Sequence, residues 1–276
     1  MTNAAVIGWP IEHSRSPMIH GHWLKTYAIE GSYSKIAVKP EDAAAFVRSL
    51  AERGLAGCNV TQPHKEVVFR AADVCEASAE AVGAANTLWI EDGRLFAANT
   101  DTYGFMRHLD VSAPGWRVKD RPVLLLGAGG AARGIVYGLL EAGVGEVRVA
   151  NRTLSRAEDM ARHFGSRVKP FAWRDAEAAS ADAGLLVNTT SLGMPKVGPL
   201  DFDVARLPSD ATVADIVYVP LETDLLRQAR ERGLCAVDGL GMLLHQAVPG
   251  FAKWFGVTPE VTDALRNILV ADIEGR

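Results

Sequence analysis

Six polar residues stand out as able to do chemistry together: Asn59, Thr61, Lys65, Asn86, Asn99 and Asp101. Each sits where a short apolar run ends or meets a turn, and open α/β sheets bind ligands at the carboxyl ends of their strands. Brought to one edge, an amine, a carboxylate, three amides and a hydroxyl would line a polar cleft for a hydroxylated small molecule. Taken singly, Lys65 also reads as a surface lysine and Asp101 as a first-turn helix residue. Ser14 and Ser16 form a second group, just ahead of Pro17. Pro17 suits the first turn of a helix and Ser16 its N-cap. Two hydroxyls beside free helix amides suit a carboxylate. Capping alone would explain Ser16; Ser14 has no such structural reason. His64 reads as a bystander. His20 and His22 do not share a helix face and have no acid or cysteine cluster beside them, so no metal is expected.

A third group is a glycine turn. In RPVLLLGAGGAARG, Val123 to Leu126 reads as a strand buried on both faces, and an apolar run with helical spacing follows Gly130. Gly127 permits a tight turn, Gly129 lets backbone approach a pyrophosphate, and Ala132 is small enough for helix to pack on strand. An ordinary glycine turn would look the same without its context. That context is the next strand, Glu146 to Ala150, which ends in Asn151, Arg152 and Thr153, with Arg156 a turn later. NAD-binding units usually place an acid here, about 20 residues past the glycines, to hold the ribose 2′-hydroxyl. No acid is present. A guanidinium pairs with a 2′-phosphate in fork geometry, so the cofactor expected is NADP; a lone arginine here would also read as a solvated charge.

These residues need a scaffold. Strands expected at Ala4–Ile7, Ser32–Val38 and Ala56–Val60 alternate with helices, including one from Glu41 to Arg53, which predicts a mostly parallel sheet. Ala84–Ile90 and Leu95–Ala98 flank Asp92-Gly93 as a hairpin, and a helix is expected from near Tyr103. After Pro114-Gly115-Trp116, strands at Val123–Leu126, Glu146–Ala150, Leu185–Val187, Val213–Val217 and Ala236–Val237 build a second layer. Apolar helices at Met242–Phe255 and Val261–Ile273 have no strand partner and are expected to return to the first region. At 276 residues, with 48% hydrophobic and 22% charged residues, the chain can bury a sizeable core. A net charge of −4 gives no basic nucleic-acid surface. Three scattered cysteines, Cys58, Cys75 and Cys235, read as free thiols of a reducing, cytoplasmic compartment. No apolar run reaches membrane-spanning length.

The motifs, taken in order, resemble those of the shikimate dehydrogenase family over nearly the whole chain. They are Gly8-x-Pro10-x-x-His13-Ser14-x-Ser16-Pro17, Asn59-Val60-Thr61-x-Pro63-x-Lys65, Asn86-Thr87 and Asn99-Thr100-Asp101. The glycine turn from Gly127, Asn151-Arg152-Thr153 and Asn188-Thr189-Thr190-Ser191-x-Gly193-Met194 follow. Asp215-x-x-Tyr218-x-Pro220 and Gly241-Met242-Leu243-x-x-Gln246 complete the set. Gly21 and the alanines before Asn99 depart from the usual family residues without touching a proposed reacting group.

The resemblance implies reversible, NADPH-dependent reduction of 3-dehydroshikimate to shikimate in aromatic biosynthesis. It implies an α/β fold with a substrate domain over residues 1–103 and 239–276 and a Rossmann-type NADP domain over 104–238. Lys65 and Asp101 would be the catalytic pair. Ser14 and Ser16 would hold the substrate carboxylate, and Thr61, Asn86, Asp101, Tyr218 and Gln246 the rest of the ring. NADP would meet Gly127, Ala128, Gly129, Gly130, Ala131, Asn151, Arg152, Thr153, Arg156, Thr189, Ser191 and Met194, with Gly239 and Met242 near the nicotinamide. Ser16, where a quinate user more often carries Thr, leans towards shikimate. The expected partner is a small molecule, with no nucleic acid or membrane, and the chain a monomer or homodimer. A quinate-using dehydrogenase and a non-catalytic NADP-binding regulator on the same fold stay open as alternatives.

Overall fold

The computed structural model describes residues 1–117 and 120–275. The chain divides into two compact units, one from Met1–Gly104 with Leu244–Asp272, the other built on Phe105–Leu243. The first begins with β1 (Thr2–Gly8), α1 (Ser16–Thr26), β2 (Gly31–Ala37), α2 (Ala43–Arg48), β3 (Gly57–Val60) and α3 (Lys65–Ala71). It continues through β4 (Val74–Cys75), α4 (Ala77–Val82), β5 (Thr87–Glu91), β6 (Arg94–Ala98) and the start of α5 (Thr100–Ser112). Its sheet runs β2-β1-β3-β5-β6-β4. β1 pairs in parallel with β2 and β3, and β4 with β6, whereas β5 is antiparallel to both neighbours. The reversal comes from the hairpin at Asp92 and Gly93, whose φ values of +50° and +72° suit a tight two-residue turn.

The second unit holds β7 (Val123–Leu126), α6 (Gly130–Glu141), β8 (Val147–Asn151), α7 (Leu154–Phe164), β9 (Val168–Ala172) and α8 (Ala176–Ala179). Then come β10 (Leu185–Asn188), β11 (Thr212–Asp215), α9 (Asp224–Glu231) and β12 (Cys235–Val237). All strands run parallel, in the order β12-β11-β10-β7-β8-β9. Counted from β7, that is the doubly wound order in which the first strand lies beside the crevice. Val123 and Leu125 enter one apolar cluster while Leu124 and Leu126 enter another. The uninterrupted apolar run of β7 therefore reflects burial on both faces.

α10 (Leu240–Phe255) and α11 (Asp263–Ile273) close the chain, and from Leu244 to Asp272 they belong to the first unit, as their lack of strand partners predicts. The Trp254 indole donates to the Leu88 carbonyl at 2.9 Å, across a point where a Cβ on Gly57 would lie 2.2 Å from the indole nitrogen. Trp254 joins Ala4, Trp89 and Ala98 in one buried cluster. Among the described residues no helix is long and apolar enough to cross a membrane.

Several boundaries differ from the sequence reading. The helix expected over Glu41–Arg53 is a 3-10 turn at Pro40–Asp42 followed by an α-helix that ends at Arg48. The Ser49 hydroxyl donates to the Phe46 carbonyl, a local bond that competes with helix continuation. Ser16 is the first residue of α1 and Arg15 its N-cap. Ser14, for which the sequence suggests no structural role, accepts the Ser16 amide at 3.4 Å. α5 starts at Thr100, so Asp101 lies in its first turn. Lys65 opens α3, where the sequence suggests only a turn. Pro170 hides β9 from the sequence; as an edge strand it tolerates a residue with no amide hydrogen.

Candidate active site

In the first unit, three of the six expected polar residues converge. Lys65 Nζ donates to Asp101 Oδ2 at 2.6 Å, and Asn86 Nδ2 donates to Asp101 Oδ1 at 2.9 Å. Gln246, arriving on α10, lies 3.5 Å from Asn86 Nδ2 through its Oε1. The local fold explains this. Lys65 is carried out of β3 by the turn at Gln62-Pro63, Asn86 sits just before β5, and Asp101 follows β6 at the start of α5. The Lys65 and Asp101 side chains are 29% and 21% exposed, so the pair is desolvated enough to be strong yet open to a ligand.

The other expected residues fall elsewhere. Asn59 turns inward, donating to the Asn86 carbonyl at 3.2 Å and the Thr87 hydroxyl at 3.0 Å. Asn99 donates to the Ala84 carbonyl and accepts the Asp101 amide at 3.2 Å, which fixes the start of α5. Both are framework, whereas their strand-end positions predict a place on the cleft. Ser14, Ser16 and Thr61 follow the carboxyl ends of β1 and β3, which are adjacent parallel strands. A Cβ on Gly8 would lie 2.5 Å from Thr61 Cγ2, so the two strand ends meet closely. His64, buried, bonds the Val38 carbonyl at 2.8 Å, a structural role. Burial pushes the His20 imidazole down to about 3, so it stays neutral while stacked 3.9 Å from Tyr33.

The second unit carries the glycine turn. Gly127 has φ +107°, and a Cβ there would lie 2.8 Å from the Thr189 hydroxyl. That hydroxyl donates to the Leu126 carbonyl at 2.7 Å, so Thr189 closes the turn from behind. At Gly129 and Gly130 an added Cβ meets nothing within 4 Å, which leaves room for phosphate against backbone. No side chain caps the first amides of α6, the arrangement that takes an anion. Arg152, Thr153 and Arg156 are exposed, and neither arginine forms an ion pair among the described residues. Arg148, on the same strand, is held by Glu146 at 2.7 Å and by Asp182 at 2.5 Å. These features fit a dinucleotide with a 2′-phosphate.

Ser191 and Met194 are exposed in the loop after β10, and Tyr218 follows β11. Asp215, which the sequence marks only as a motif residue, ties these loops together. It accepts from Asn188 Nδ2 at 2.9 Å, the Val217 amide at 2.9 Å and the Thr223 hydroxyl at 2.7 Å. Burial raises its pKa to about 6 against those three donors. Gly239 packs so closely that a Cβ would lie 2.3 Å from the Ile216 carbonyl oxygen. Gly239 and Met242 belong to the second unit.

Family models match three stretches: the shikimate dehydrogenase substrate binding domain over residues 6–88, shikimate / quinate 5-dehydrogenase over 111–216, and the shikimate 5′-dehydrogenase C-terminal domain over 239–267. A curated relative from Azorhizobium caulinodans, a shikimate dehydrogenase (NADP(+)), is 56% identical over 276 residues, covering 100% of this chain and 98% of its own. The chain belongs to the shikimate dehydrogenase family. Shikimate 5-dehydrogenase from Thermus thermophilus, solved with NADP(H) and shikimate, is 34% identical, with 99% and 100% of the two chains covered and a TM-score of 0.85. Quinate dehydrogenase from Corynebacterium glutamicum, solved with NAD, is 31% identical, with 97% and 98% covered and a TM-score of 0.88. The dehydrogenase fold thus serves both substrates, and choice among them must come from side chains.

Proposed function

We infer that this chain is an NADP-dependent shikimate dehydrogenase that reduces 3-dehydroshikimate reversibly to shikimate. The observation that carries the chemistry is the Lys65–Asp101 pair at 2.6 Å, with Asn86 on the second carboxylate oxygen. A regulator that only sensed NADP would need neither the amine nor the carboxylate. Arg152 and the absence of an acid after β8 support NADP over NAD.

Bound NADPH supplies the hydride. As the substrate carbonyl becomes an alkoxide, the Lys65 ammonium stabilises that charge and gives it a proton. Asp101 keeps Lys65 aimed and accepts a hydrogen bond from the neighbouring ring hydroxyl. Asn86 and Gln246 orient the ring further. Ser14 and Ser16 hold the carboxylate at the start of α1, with Thr61 and Tyr218 completing the contacts. The glycine turn from Gly127 to Ala131 takes the pyrophosphate. Asn151, Arg152, Thr153 and Arg156 take the adenosine end, and Thr189, Ser191, Met194, Gly239 and Met242 the nicotinamide end. The enzyme works in the cytoplasm, where Cys58, Cys75 and Cys235 stay reduced.

Ser16 favours shikimate over quinate as substrate. The test is a matrix of NADPH and NADH against 3-dehydroshikimate and 3-dehydroquinate, with absorbance at the reduced nicotinamide band as readout. The largest kcat/KM is expected for NADPH with 3-dehydroshikimate. Equal rates with NADH, or faster turnover of dehydroquinate, would overturn the assignment.

A further inference from the structure

Behind the Lys65–Asp101 pair lies a buried network of hydrogen bonds that converges on Asn86. The Tyr33 hydroxyl donates to Asn59 Oδ1 at 2.6 Å. Asn59 Nδ2 uses its two hydrogens on the Asn86 carbonyl and the Thr87 hydroxyl oxygen. The Thr87 and Thr100 hydroxyls lie 3.0 Å apart, and each lies 3.1 Å from Asn86 Oδ1. Two hydroxyl protons serve these contacts: one goes to Asn86 Oδ1 and the other to the partner hydroxyl. The Thr100 amide also donates to Asn86 Oδ1, at 2.7 Å.

This network decides which way the Asn86 amide faces. With Oδ1 filled from behind, its NH₂ group must point forward, to Asp101 Oδ1 and Gln246 Oε1. Flipped, the amide would set its NH₂ against the Thr100 N–H and its oxygen against the carboxylate, two repulsive contacts in a buried setting. Asn86, Thr87 and Thr100 are all at most 5% exposed, so solvent cannot compensate.

We propose that Thr87, supported by Thr100, is a positioning residue for the reduction: its hydroxyl locks the Asn86 amide and through it holds the Asp101 carboxylate in the orientation that aims Lys65. This rests on the dehydrogenase reading above. Thr87 touches neither Asp101 nor Lys65 itself. Its methyl packs against α10, where a Cβ on Gly250 would lie 3.3 Å away, so valine preserves the packing and removes only the hydroxyl.

The test compares Thr87→Val, Thr87→Ser and Thr100→Val with the unsubstituted enzyme, each reported as kcat per folded molecule. Thr87→Val and Thr100→Val are expected to lower kcat for 3-dehydroshikimate by roughly tenfold, the worth of one buried hydrogen bond carried into the transition state. NADPH affinity by fluorescence titration stays within a factor of about 2, since the cofactor residues are untouched. The primary deuterium isotope effect on kcat rises, because a slower chemical step becomes more rate-limiting. Thr87→Ser restores kcat by restoring the hydroxyl. A merely structural role would lower the melting midpoint and leave kcat per folded molecule and the isotope effect alone; that result overturns the proposal. So does a Thr87→Ser enzyme as slow as Thr87→Val, which would assign the effect to the methyl. If Thr87→Val does not fold, Thr100→Val and Thr87→Ser carry the comparison. An unsubstituted enzyme that oxidises no NADPH would overturn the dehydrogenase reading and this proposal with it. A working one with unaffected variants overturns this proposal alone.

Discussion

At the scale of single residues, Lys65 and Asp101 form one 2.6 Å pair. In the proposed reaction the amine meets developing negative charge and the carboxylate keeps it aimed. Lys65→Ala is expected to leave the fold and substrate affinity largely intact and to lower kcat by roughly 10²–10⁴; steady-state rates with dehydroshikimate measure it. Arg152, exposed and without an ion pair among the described residues, would in its proposed role contribute only where a 2′-phosphate is present. Arg152→Ala therefore raises the KM for NADPH by roughly tenfold or more, the worth of a charge-assisted hydrogen bond, and leaves that for NADH nearly unchanged. Equal losses for both cofactors would assign the arginine another role. The Lys65–Asp101 pairing is legible in the sequence because an amine or acid at a strand end has few structural reasons to be there. Thr87 is not: a threonine at the head of a strand looks like ordinary β-structure, and its hydroxyl gains meaning only from Thr100, thirteen residues later. Asn59 and Asn99 mislead for the converse reason, since an amide satisfies backbone as readily as ligand.

At the scale of elements, the loops after β10 and β11 carry Thr189, Ser191, Met194 and Tyr218. Asp215 binds these loops to the start of α9 through three donors. With its carboxyl at about 6 in the fold against an ordinary 3.8, the folded state holds the proton more tightly than the unfolded one. Its contribution to stability is therefore fully present below pH 3.8 and is lost as pH rises through about 6, by about 3 kcal/mol at most. Urea denaturation across roughly pH 4–7 should show this decline in the parent, and Asp215→Asn should flatten it. The elements themselves are legible where apolar periodicity is strong, as in β7, α6 and α10. They are obscure where length is decided locally: Ser49 cuts α2 short with one hydroxyl, and Pro170 hides β9, which survives because its edge position asks for no hydrogen there.

At the scale of the whole molecule, the first unit is discontinuous in sequence. The chain leaves it within α5 and re-enters within α10, whose Trp254 and Phe251 fill its core beside Trp23, Trp89 and Ala98. Residues 1–104 expressed alone are therefore expected to lack a cooperative melting transition, and residues 1–276 to show one; calorimetry on the two polypeptides decides it. The second unit, by contrast, is made almost entirely from one uninterrupted stretch. On the ribosome this sets a schedule. The nucleotide-binding half is nearly complete in sequence once residue 243 has emerged, while the strands of the first unit must wait, their apolar faces uncovered, until α10 and α11 follow. The half whose strands come first in the sequence is thus completed later than the half inserted within it.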